Sequence, residues 1–101
     1  RFVLEFALPD REQRRMLWRK HLPDPSQWHP DLDLELFVDR FPFSGGAIHN
    51  VGLAAAHATV HGAPLSPEIL CRAVARELEK AGMARSRSDF GPLSKYLWRA
   101  P

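Results

Sequence analysis

The chain has 101 residues, a net charge of +2, 45% hydrophobic side chains and 26% charged ones. That length holds one small domain, and so ordinary a composition excludes a disordered or low-complexity chain. No apolar stretch approaches the ~20 residues of a membrane span, and the charge is too mild to argue for nucleic acid by itself. Cys71 is the single cysteine, so no internal disulfide can form, which favours a reducing compartment.

Phe2 to Phe6 reads as a strand, and Glu5 interrupts the apolar run that a secretory leader would need. A lone strand leaves its backbone groups unpaired. Residues 1–7 are therefore expected to be the terminal strand of a larger core lying upstream. Asp10 is a good N-cap, and Glu12 suits the positive end of a helix dipole, so a first helix is expected from there to about Leu22, before Pro23. Its apolar stripe is narrow: Gln13, Leu17 and His21, flanked by Met16. Arg11, Arg14, Arg15, Arg19 and Lys20 leave much of the rest polar. Pro23 to Pro30 holds three prolines and reads as a loop.

Asp31 or Asp33 caps a short second helix, with Leu34, Phe37, Val38 and Phe41 on one face, ended by Pro42. Ser44 caps a third, whose core face is Ile48, Val51, Ala55 and Ala58. Its many small residues, Gly52 among them, let a neighbouring helix approach closely. Gly62 suits the position after its end, with Pro64 just beyond. A fourth helix starts at Ser66, with Pro67 and Glu68 in its first turn, and buries Leu70, Ala73, Val74 and Leu78 before Gly82 ends it. The tail 83–101 is basic at first and finishes in a short helix from Pro92 to Trp98, with Leu93, Tyr96 and Leu97 on one side. The expected fold class is all-α: a bundle of four to five helices preceded by one short leftover β-strand.

Three local patterns, in this order, carry a resemblance: LPDREQRRMLWRKH, DLDLELFVDRF and SGGAIHNVGLAAAHA. With the closing Ser-Pro-Glu start and ELEKAG end, residues 2 to 81 resemble the C-terminal helical lid subdomain of AAA+ ATPases, classical AAA branch. The resemblance makes residues 8–82 the lid and implies that it closes over the adenine of ATP, held against a P-loop large domain of the same chain. His21 then matches the histidine near the ribose and adenine, and Gly45 and Gly46 match the pair whose backbone passes the base. A backbone can approach a flat base where no side chain intervenes, and helix-start N–H groups offer donors to a nucleotide.

Where many AAA+ proteins place an arginine that reaches the γ-phosphate, this chain has Ala47, as is usual in the classical branch. His49 could approach the site but cannot supply an arginine's fixed charge. No GxxxxGK[ST] loop and no acidic Mg²⁺-binding strand occur in these residues, so the parent protein is expected to be the ATPase and this portion alone inactive. Mg²⁺ would be held by the large domain, and the resemblance implies neighbouring subunits of a homo-oligomeric ring as partners, in the cytoplasm and with no membrane.

The alternative is a small helical nucleic-acid-binding module that uses the basic face Arg11, Arg14, Arg15, Arg19 and Lys20; the length of the Pro23–Pro30 loop argues against it. A protein-interaction bundle is a third possibility. His57 and His61 stand at zinc-ligand spacing, with His49 on roughly the same side, but no cysteine joins them. Cys71 is expected to be a buried structural thiol. An exposed Trp18 or Trp98 would mark a docking surface.

Overall fold

A computed structural model describes residues 8–80, 82 and 90–96. The expected strand, the basic segment after Gly82, and Leu97 and Trp98 lie outside these residues. The described chain is helical, with α1 Arg11–His21, α2 Leu34–Arg40, α3 Gly45–Ala58, α4 Pro67–Lys80 and a final 3-10 helix Gly91–Tyr96. Among the described residues there is no sheet; the one extended pairing is a parallel bridge between Trp28 and Leu65.

Each helix starts where a side chain replaces missing backbone acceptors. Asp10 accepts from the Gln13 N–H at 2.8 Å, and the Gln13 side chain accepts from the Asp10 N–H at 2.9 Å, which closes a capping box. Asp33, rather than Asp31, caps α2 through the Glu35 N–H. Ser44 caps α3 through Ala47, and the Ser66 hydroxyl accepts from the Ile69 N–H at the start of α4. Gly62 takes φ of +89° just past α3, a conformation open to glycine at little cost. The proline-rich loop is more ordered than its composition suggests. Asp24 caps a 3-10 turn Pro25–Gln27, and the Leu65 N–H donates to the Gln27 carbonyl at 2.8 Å, pinning this loop to the α3–α4 connection.

Phe37, Val38 and Phe41 of the second helix and its end are buried, as are Ile48, Val51 and Ala55 of α3 and Leu70, Val74 and Leu78 of α4. Ala58, expected in the core, is exposed. The buried arc of α3 is rotated towards Gly52, which faces α1, and this carries Ala58 out of the contact. The larger correction concerns α1. Its core residue is Trp18, which is fully buried with its ring 6.3 Å from Phe37 and 6.4 Å from Phe43. Trp18 is therefore a wedge between elements and no docking residue. Of the expected stripe, Gln13 is exposed, Leu17 is half-buried and packs against the edge of the core beside Gly45, and His21 is half-buried against His49. Burying the indole leaves its Nε1 without a hydrogen-bond partner among the described residues, a cost of about 1–3 kcal/mol. Truncating so large a wedge to Ala would cost more, about 3–5 kcal/mol.

The final 3-10 helix seals the other end. Phe90 and Leu93 are buried, and Phe90 meets Phe41 edge-on at 5.2 Å. The Cys71 Sγ lies 3.8 Å from the Leu93 carbonyl, and burial pushes its thiol up to about 12. Cys71 is an inert core thiol, as the sequence suggested.

Candidate functional site

The basic face of α1 turns out to be largely spent on α2. The Arg11 guanidinium pairs with Asp39 and with Glu35, the latter at 2.7 Å. Arg15 reaches Glu35 at 3.0 Å and Glu12 at 2.9 Å. Arg14 donates to the carbonyls of Val38 and Pro9. Arg11 holds the carboxyls of Asp39 and Glu35 below the usual carboxylate range, with Arg15 assisting at Glu35. Of the five cations only Arg19 and Lys20 have no partner among the described residues. The alternative of a phosphate-reading helix loses most of its charge to this network.

Where α1 crosses α3 the geometry is different. Gly52 lies against the end of α1: a Cβ built on it would stand 2.5 Å from the His21 carbonyl oxygen. That close approach brings the His21 and His49 rings together edge-to-face, with centroids 4.9 Å apart and Nδ1 atoms 3.3 Å apart. Burial is the first cause that pushes the His21 imidazole below its ordinary value, followed by His49 and Lys20. At 3.3 Å the pair shares one proton as a hydrogen bond when at least one ring is neutral.

One turn towards the N-terminus of α3, Gly45 faces Leu17, whose Cδ1 would lie 3.8 Å from an added Cβ. Gly46 has open space where a side chain would be and is exposed. Beside Gly45 lies an open cleft of about 550 Å³ lined by Pro9, Gln13, Met16, Leu17, Lys20 and Gly45. Its walls are chiefly apolar, and Met16 is 64% exposed. The residues singled out from the sequence thus cluster without coinciding. Gly45 forms a wall of the cleft, Gly46 stands at the free start of α3, and His21 sits one helical turn beyond, about 5–6 Å along, facing His49.

Gln13, Met16 and Lys20 also line the cleft without being among the expected site residues: Gln13 and Met16 belong to the partial apolar stripe of α1, and Lys20 to its basic face. Among the described residues no group of three or more His, Cys, Asp or Glu could hold a metal ion, so His57 and His61 find no third ligand there.

Residues 10–100 match the family model of the contractile injection system ATPase helical domain. The chain belongs to this family. No curated protein and no solved structure matches it. An injection-system ATPase helical domain is thus a helical part of an ATPase, in keeping with the ATPase resemblance carried by the three sequence patterns. No helix among its described residues is long and apolar enough to cross a membrane.

Proposed function

We propose that this helical domain is the lid of its ATPase. It closes over the adenine of ATP bound on a P-loop domain of the same chain and relays the nucleotide state by rigid-body motion. The observation that carries this reading is the open start of α3 beside an apolar cleft. Ser44 occupies the Ala47 N–H, while the N–H groups of Gly45 and Gly46 point from the first turn with no side chain to shield them. Pro9, Met16 and Leu17 offer a flat ring apolar contact, and the amide nitrogen of Gln13, whose oxygen is taken by the Asp10 N–H, offers polar contact at its edge. His21, held by His49, lies on the ribose side of this reading.

The chemistry of hydrolysis belongs elsewhere. ATP and its Mg²⁺ would be held by the P-loop domain, and with Ala47 where an arginine could stand, this lid supplies no charge to the γ-phosphate. The domain alone should not turn ATP over. Its motion would pass to neighbouring subunits of a homo-oligomeric ring in the cytoplasm.

Gly46→Leu in the full ATPase tests the reading, because a side chain there meets nothing in the fold. The lid reading predicts unchanged thermal stability with ATP affinity weakened about tenfold or more, about 1.4 kcal/mol. Wild-type affinity in a stably folded variant would contradict it.

A further inference from the structure

We infer that the groove between α3 and α4 is a docking site for an acidic amphipathic helix of a protein partner. Two adjoining hollows, of about 320 and 170 Å³, share Ala54, Ala73 and Arg76 and so form one continuous trough. This trough lies away from the nucleotide cleft: at 100° per residue, Ala54 stands about 140° around α3 from His49. The proposal is independent of the lid reading.

The trough's floor and rim select its occupant. Ala54, Ala58 and Ala73 keep the floor shallow, so another helix can approach closely. Leu53, 58% exposed, and the half-buried Ile69 supply apolar anchor points at its sides. Along α4, Arg72, Arg76 and Lys80 recur every four residues and line one edge. Arg72 and Arg76 are exposed and make no ion pair or hydrogen bond among the described residues. The one carboxylate in the trough, Glu77, is occupied by the Asn50 amide at 3.2 Å and by Lys80 at 3.3 Å. The edge therefore presents two guanidiniums one helical turn apart that have no ion-pair partner among the described residues. A helix with carboxylates at the same spacing and an apolar stripe beside them satisfies both features at once, since guanidinium and carboxylate pair bidentately.

The contrast with α1 strengthens the assignment. There, Arg11 and Arg15 are matched by Glu35, Asp39 and Glu12 from within the domain. On α4 the matching carboxylates are missing from the trough, and a partner would bring them.

The test uses the full ATPase and a fluorescein-labelled helical peptide long enough to span Arg72 to Lys80, with Glu at i and i+4 beside a Leu stripe. Anisotropy should report saturable binding that weakens about tenfold in Arg72→Gln/Arg76→Gln, and again when salt is raised about tenfold. Leu53→Ser should weaken it too, whereas Arg19→Gln, on α1, should leave it unchanged. Three results would overturn the proposal: no saturable binding by wild type, equal binding by the double variant, or equal binding of a peptide with the same charge and a scrambled apolar stripe. Concentration-dependent self-association lost in the same variants would assign the trough to a second copy of this chain and overturn it as well.

Discussion

Gly52 of α3 lies against the main-chain carbonyl of His21, so closely that an added Cβ would stand 2.5 Å from that oxygen and 2.8 Å from the His21 Cβ. The obstacle is backbone, which cannot swing aside. The crossing of α1 over α3 is therefore set by the absence of a side chain at this one position, and the His21–His49 contact depends on it.

Gly52→Ala should force the two helices apart. Overpacking of this kind costs about 1–3 kcal/mol, partly offset by the better helix propensity of Ala. Thermal unfolding should show a midpoint lower by several degrees. The His21 and His49 ring resonances should shift in the same variant, because their contact is set by the crossing. An equally stable variant with unmoved histidine signals would mean that the crossing is not fixed by Gly52.

The histidine pair also makes stability depend on pH. Burial, then His49 and Lys20, hold the His21 imidazole below its ordinary value in the folded state. The unfolded chain therefore binds this proton more readily. The neutral ring's contribution is complete above the ordinary histidine value of about 6.5, declines as pH falls through it and levels off below the folded value. An NMR titration should find His21 titrating below that value, and His49→Gln should move it back upwards. A His21 that titrates at or above the ordinary value would contradict this.

The α1–α2 ion network acts at lower pH. Arg11 is the first cause that depresses the carboxyls of Asp39 and Glu35. Their contribution is present above the ordinary carboxylate range, roughly pH 4, and is lost as pH falls through the depressed folded values. These side chains are substantially exposed, so salt should weaken the effect. Acid unfolding of Asp39→Asn should begin from a lower stability and show a shallower dependence on pH than wild type. Identical acid profiles would show that the network contributes nothing to folding.

Much of the helical layout was legible because its signals are local. Asp10, Ser44 and Ser66 sit where caps are expected, and the second helix shows its buried face in four residues, Leu34, Phe37, Val38 and Phe41. What was hidden depends on partners far along the chain. Arg11 meets Asp39 across 28 positions, and nothing in a run of arginines announces that a later helix carries their carboxylates. Trp18 looked peripheral beside the Gln13–Leu17–His21 stripe, because only the assembled Phe37 and Phe43 create a slot for it. Asp31 and Asp33 were equal candidates until the Glu35 N–H chose between them. At the site, Gly45, Gly46 and His21 were visible as residue types, but the cleft formed with Pro9, Met16 and Leu17 exists only once α1 and α3 cross.

The lid reading stands or falls on where the adenine lies in the intact ATPase. Photolabelling with 2-azido-ATP, competed by excess ATP, addresses this at the level of the residue. The account predicts label on peptides carrying Gln13 to Leu17 or Gly45 to His49. Efficient, ATP-protected labelling confined to residues outside 8–82 would contradict it.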